Sequence, residues 1–240
     1  MKYLVFDIET RIDKSLVHAV YHPDEKISDN EAYEIVRQQL QGDHGSDFFP
    51  VSFHVPICIT FGHVGSDLAL TSLETLALPE LSDLEMAKEF WARVDPFDGS
   101  LVTFNGRGFD LPVMELQALR HGVEAPRYFN QRHGARARFS DTHYDLHEFI
   151  ANFGAYRVRG GLDLLSKLVG LPGKTSVRGG TVQHLWEAGK TAEIRRYCRR
   201  DVIQTYLLLL RVERMRGRIT PAELGRLWAA AEVFRVELSE

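Results

Sequence analysis

"YLVFDIET", Tyr3 to Thr10, decides the reading of this chain. Tyr3 to Phe6 is an apolar and aromatic run with the composition of a buried strand. Two carboxylates, Asp7 and Glu9, then follow two positions apart. Side chains alternate along a strand, so Asp7 and Glu9 share one face while Ile8 points to the other. Like charges this close repel, and partial burial strengthens the repulsion. The stretch therefore asks for something positive between the two carboxylates.

Further strands are expected at "ICITFGHV" (57–64), "LALTSL" (68–73) and "LVTFN" (101–105). A helix over 81–94 places Leu84, Ala87, Phe90, Trp91 and Val94 at helical spacing. After Asn105 the chain turns mostly helical, with helices predicted at 110–121, 145–152, 162–169, 182–188 and 192–216. Thr220 to Glu223, "TPAE", is a capping box that opens a last helix across 220–240. Strands first and helices later give an α/β domain, a mixed sheet flanked by helices with a helical C-terminal half. Two segments read as irregular: 11–50, with a single helix at 31–40 and an apolar "DFFP", and 125–138, rich in Arg, Asn and Gly. No repeat or linker divides the 240 residues, so one domain is expected, with 11–50 as an insertion.

Composition limits the function. An apolar fraction of 44% supports an ordinary core, and a net charge of −4 rules out a bulk basic field for binding nucleic acid. Two cysteines far apart in sequence, Cys58 and Cys198, argue against a disulfide framework and for a reducing compartment, the cytoplasm. The N-terminal run is too short for a signal peptide, and no stretch approaches the ~20 apolar residues of a membrane span. The ten histidines show no ligand spacing. "GLPGKTS" (170–176) imitates a phosphate loop, but two residues separate its glycine from Gly-Lys where four are needed, and it follows a helix.

The carboxylate puzzle recurs twice. "TFNGRGFDLP" ends a strand near Asn105 and opens a helix at Asp110, which is also a competent helix cap on its own merits. "YCRRDVIQTYLLLL" places Tyr197 and Asp201 one helical turn apart on a single face, with an apolar face to anchor that helix. Acidic residues at element ends and on an anchored helix suit hard divalent cations, which take a few carboxylates together with substrate oxygens. In two-metal phosphoryl-transfer sites the ions sit roughly 3.5–4 Å apart.

"FDIET", "NGRGFD" and "YCRRD" resemble, in order and spacing, the three motifs of the DEDD (DnaQ-like) 3′–5′ exonucleases. Tyr four residues before the last Asp is the mark of the DEDDy branch; the other branch carries His five before it, where this chain has Arg196. The resemblance is to bacterial proteins related to the proofreading exonuclease domain of B-family DNA polymerases. It runs from Tyr3 to about Arg211 and includes "GLDLLSKLVGLPGK". It implies a ribonuclease H-like fold and two Mg²⁺ or Mn²⁺ ions held by Asp7, Glu9 and Asp201, with Asp110 completing the set directly or through water. Tyr197 would orient the attacking water, Asn105 and Phe109 would order the site or touch substrate, and Asp145 would support it from behind. The implied reaction is hydrolysis of the terminal phosphodiester of a single strand, DNA in preference to RNA.

Nothing in the sequence reads a 2′-hydroxyl, which leaves an RNA-trimming enzyme as the rival reading. A silent binding module is a second rival, opposed by the intact residue set. Local positive charge supports a strand path: Arg127, Arg132, Arg136 and Arg138 in one segment, then Arg157, Arg159, Lys174 and Arg178, and Arg195, Arg196, Arg199 and Arg200 around the third motif. At 240 residues the chain is too short to hold a polymerase as well, so a partner in trans or self-association through 11–50 or the C-terminal helix is also expected.

Overall fold

The computed structural model describes residues 2–171 and 181–236. Its centre is a five-stranded sheet in the order β3-β2-β1-β4-β5. The strands are β1 (Tyr3–Ile12), β2 (His54–Val64), β3 (Leu70–Ala77), β4 (Ser100–Thr103) and β5 (His143–Asp145). β2 pairs antiparallel with both β1 and β3, while β4 runs parallel to β1 and β5 parallel to β4. The sheet is therefore mixed, and the parallel half is reached through helical crossovers. This is the expected α/β architecture.

Alternation along β1 assigns its two faces. Leu4, Phe6 and Ile8 join a core with Met86, Phe90 and Trp91 of α3 (Asp83–Val94) and Leu111 and Met114 of α4 (Asp110–His121). Val5 points the other way, into a core with Val102 and the leucines of α9 (Thr191–Met215). Asp7 and Glu9 follow Val5 in parity, so they look toward α9. That helix is more deeply set than an amphipathic reading suggests. Every residue from Asp201 to Leu210 is buried, because α9 is enclosed between the sheet and the helices α7 (Gly161–Leu168), α8 (Val182–Glu187) and α10 (Pro221–Ala230).

Four sequence expectations change. Residues 11–50 are ordered: β1 continues to Ile12, α1 (Lys14–Tyr21) follows, and α2 runs over Asp29–His44 behind a Ser28–Glu31 capping box. Val17, Tyr33, Val36, Phe49 and Phe53 bury one another in a small third core, and this apolar contact holds the segment in place. Segment 125–138 contains a short helix, α5 (Pro126–Asn130), and β5 precedes α6 (Leu146–Ile150) where only a helix was expected. At the C-terminus the capping box opens α10, which gives way to α11 (Glu232–Val236). Leu227 and Ala231 there are buried against the α9 core, Arg211 lies over the Trp228 ring at 4.7 Å, and Val233 stays exposed. Among the described residues, no helix is long and apolar enough to cross a membrane.

Candidate active site

The site is built from three distant parts of the chain. β1 delivers Asp7 and Glu9, and Glu9 is buried. Opposite Glu9 in the sheet register stands Cys58, and the pairing shifts between Glu9 and Thr10. Such a bulge sharpens the local twist and re-aims neighbouring side chains.

Asp110 comes from the loop after β4 and the start of α4. It does not cap that helix, since the cap position is Phe109 and shows no side-chain cap bond. One carboxylate oxygen instead accepts the backbone N–H of Ile8 at 3.1 Å, between the two β1 carboxylates. Only 5% exposed, Asp110 is pushed up to about 7, chiefly by burial, with Asp145 and Asp201 adding to the rise against the pull of its backbone donors. A buried acid surrounded by other acids is an environment that a cation would relieve.

The loop delivering Asp110 is held by Asp145. Its two oxygens accept four backbone N–H groups, from Asn105 and Arg107 at 2.9 Å each and from His147 and Glu148 at 3.0 and 3.3 Å. Asn105 sits in the left-handed region at φ +66, and its carbonyl accepts from Gly108 and Phe109. Gly106 is required by space: a Cβ there would lie 2.5 Å from the Thr103 side chain. Asn105 and Asp145 thus shape the turn, while Phe109 projects toward His54, the two rings meeting edge to face at 4.9 Å.

The third contribution is α9, whose Tyr197 and Asp201 are 2% and 4% exposed. The Tyr197 hydroxyl donates to Asp201 and is pushed far above its ordinary range, first by burial and then by Asp201, Glu9 and Asp7. Tyr197 therefore remains a protonated phenol, able to orient a water but unable to act as a base. Sequence spacing does not reveal one further neighbour. The Cys198 sulfur and oxygens of Asp7 and Glu9 all lie within 4.8 Å of one another, and the thiol faces the Asp7 carbonyl at 3.4 Å. Cys58 and Cys198 are both free and buried, and burial together with the neighbouring Cys58 pushes the Cys198 thiol well up. No spacing rule links residues 7, 9 and 198; only the register of α9 against β1 brings them together.

Of the basic residues, Arg136 pairs with Glu115 at 3.1 Å, Arg138 with Glu148 at 2.9 Å, Arg127 with Asp98 at 3.4 Å, and Arg195 with Glu80. Such exposed pairs are worth ~0–1 kcal/mol and yield readily to a competing phosphate. Lys174 and Arg178 lie outside the described residues.

The chain matches, over residues 46–235, a family model described as a predicted 3′–5′ exonuclease related to the exonuclease domain of PolB. The chain belongs to this family. The match begins after the Asp7–Glu9 strand and spans the Asp110 and Asp201 segments. Among solved structures, the chain is similar to the family B DNA polymerase of the archaeon Pyrobaculum calidifontis, at 17% identity and a TM-score of 0.54. That likeness covers 89% of this chain and 24% of the polymerase. It is also similar to Escherichia coli exonuclease I, in a zinc-bound complex with single-stranded DNA, at 11% identity and a TM-score of 0.50. There the cover is 95% of this chain and 43% of the exonuclease. The chain thus spans less than half of either, and at these identities the likeness is one of fold, the exonuclease (ribonuclease H-like) fold. No curated protein matches.

Proposed function

We propose that this chain is a divalent-metal-dependent 3′–5′ exonuclease that removes nucleotides from the end of a single strand, with DNA as the preferred substrate. The convergence of Asp7, Glu9, Asp110, Tyr197 and Asp201, drawn from β1, the β4–α4 loop and α9, is the observation that carries the reading. The donor set fits Mg²⁺ or Mn²⁺, because carboxylate oxygens dominate it. When bound, two such ions would neutralise charge on the attacking and leaving oxygens of the phosphodiester.

The chain's own residues have distinct roles. Asp7, Glu9, Asp110 and Asp201 would hold the cations, and the Ile8–Asp110 bond ties the start of α4 to the strand that carries the β1 carboxylates. Tyr197 orients the attacking water through its hydroxyl, with Asp201 holding the phenol in place. Asp145 positions the loop that carries Asp110 and takes no part in the chemistry. Exposed arginines such as Arg127, Arg136 and Arg138 would draw the polyanion in, which makes affinity fall with salt. The membership of a family described as predicted 3′–5′ exonucleases and the resemblance of fold to a single-strand-bound exonuclease point the same way.

The test is a 5′-labelled oligonucleotide incubated with Mg²⁺ or Mn²⁺. Stepwise shortening from the 3′ end, halted by EDTA and absent in Asp7→Ala and Asp201→Asn, is the expected result. Binding without shortening under every metal would identify a silent module. A matching RNA strand and duplex ends, run alongside, set the substrate preference.

A further inference from the structure

At the β5 edge of the sheet the structure has a cavity of about 310 Å³ that the carboxylate cluster does not use. The edge strand, α6 and the stretch that follows α9 all contribute to its wall. Its charges fall into two sets. Glu148 holds Arg107 at 3.0 Å and Arg138 at 2.9 Å, and Glu213 holds Arg216 at 3.3 Å and Arg218 at 3.1 Å. One carboxylate shared by two guanidinium groups leaves each set with one positive charge in excess. The remaining acids of the wall offset this only in part, since Asp145 is turned to four backbone N–H groups and Asp141 is exposed.

The second set is built before any ligand arrives. Glu213 is 2% exposed, and Arg216 is held again by donating to the Tyr144 hydroxyl at 2.9 Å while lying over the Tyr144 and Phe149 rings. Arg218 is half-exposed and meets Glu213 through Nη1 alone, so its other N–H groups can face an anion. Two further wall residues, Phe139 and Phe153, meet edge to face at 5.1 Å and are 77% and 40% exposed.

Size and chemistry choose the occupant. The volume is at the lower end of the roughly 300–1,000 Å³ of small-molecule clefts. Guanidinium forks bind phosphate through parallel N–H bonds, and open ring faces hold a nucleobase by stacking. A nucleoside monophosphate presents both groups in one small molecule, and the proposed reaction releases it. We propose that this cavity is a second nucleotide site, which binds a free nucleoside monophosphate with its phosphate at Arg216 and Arg218 and its base against Phe139 and Phe153. The choice of ligand rests on the exonuclease reading; the cavity does not. Asp145, which holds the turn before Asp110, also lines the cavity, so a bound nucleotide would sit against the support of that turn.

The test is calorimetric titration of the whole chain with deoxyadenosine monophosphate in EDTA, so that no metal offers the nucleotide another seat. Wild type should bind one equivalent. Arg218→Gln should bind about 10- to 150-fold more weakly, the range for hydrogen bonds to a charged group. Phe139→Ala, at a ring too exposed to matter for folding, should bind about 5- to 150-fold more weakly, the range for one stacked base. Deoxyadenosine and inorganic phosphate, each half of the ligand, should both bind less tightly than the whole, and Asp7→Ala should bind it as wild type does. No binding at millimolar nucleotide, or equal binding in Arg218→Gln and Phe139→Ala, overturns the second site; wild-type cleavage of a labelled strand then still decides the nuclease separately. Binding lost in Asp7→Ala moves the nucleotide to the carboxylate cluster and overturns the second site too. A 5′-phosphorylated strand that binds more tightly than the mononucleotide, with the same loss in Arg218→Gln, makes the cavity part of a strand path and overturns the free-nucleotide assignment. Nucleotide binding that depends on Arg218 and Phe139, with no cleavage under any metal, supports the cavity and removes the nuclease.

Discussion

Asp145→Ala is the most exacting test of how the site is held. Asp145 is 4% exposed, and its carboxylate accepts four backbone N–H groups from two segments. Two belong to the first turn of α6, where losing a capping acid costs about 0.5–2 kcal/mol. The other two, from Asn105 and Arg107, belong to the turn before Asp110. Each becomes an unsatisfied donor on truncation, at about 1–3 kcal/mol less whatever water recovers. The combined loss is about 3–5 kcal/mol, since these bonds share one acceptor and do not add fully. For a chain of this size each kcal/mol shifts Tm by about 2–4 °C, so Tm should drop by about 6–20 °C. Asp145→Asn should fall between, because an amide oxygen can replace Oδ1 while its NH₂ would face the Arg107 N–H, donor against donor. Thermal and urea unfolding followed by circular dichroism measure the stability. Cleavage at a temperature well below both transitions measures the activity, which should fall because the turn before Asp110 loses its anchor. A loss under ~1 kcal/mol for Asp145→Ala, or full activity in a destabilised variant, would refute the claim that this carboxylate positions Asp110.

Other predictions are simpler. Tyr197→Phe should lower kcat on the order of 10²-fold, the effect of losing one oriented hydrogen-bonding group, without abolishing cleavage; an unchanged rate removes the hydroxyl from the reaction. His143 is buried with Nε2 against Thr103 Oγ1 at 2.8 Å, and burial pushes it down to about 3. The unfolded chain therefore takes up a proton below ~6.5 that the folded protein refuses. Stability should fall by up to ~1.4 kcal/mol per pH unit between ~6.5 and 3 from this group, and urea midpoints at about pH 7.5 and about pH 5.5 should differ less in His143→Gln than in wild type. Tyr206 donates to the Leu68 carbonyl at 2.8 Å in the core. Tyr206→Phe should cost about 1 kcal/mol in urea unfolding with cleavage intact.

How much of this is legible in the sequence depends on the kind of interaction. Motif residues at element ends can be read directly: Asp7 and Glu9 at alternate positions of a strand, Tyr197 and Asp201 one turn apart. Their surroundings cannot. Asp110 looks like a helix cap because the local signal is the same, yet its carboxylate reaches the backbone N–H of Ile8, far away along the chain. The segment 11–50 looks irregular because its apolar residues are spread thinly over two short helices and a loop, and cohere only when Tyr33 stacks on Phe49 at 5.2 Å. β5 has three residues, too few for any periodicity to register. Spacing also passes over Cys198, because long-range register, not sequence separation, sets which atoms meet.

The burial of α9 has a consequence for control of the candidate site. Residues Asp201 to Leu210 form the spine of the whole molecule, so their amides should exchange with solvent only when the entire domain opens. Tyr197 and Asp201 thus share the lifetime of the native state, and no local loosening can disarm them separately. Anything that tunes this site from outside must act through its other wall, the turn before β2, where residues 45–48 are exposed.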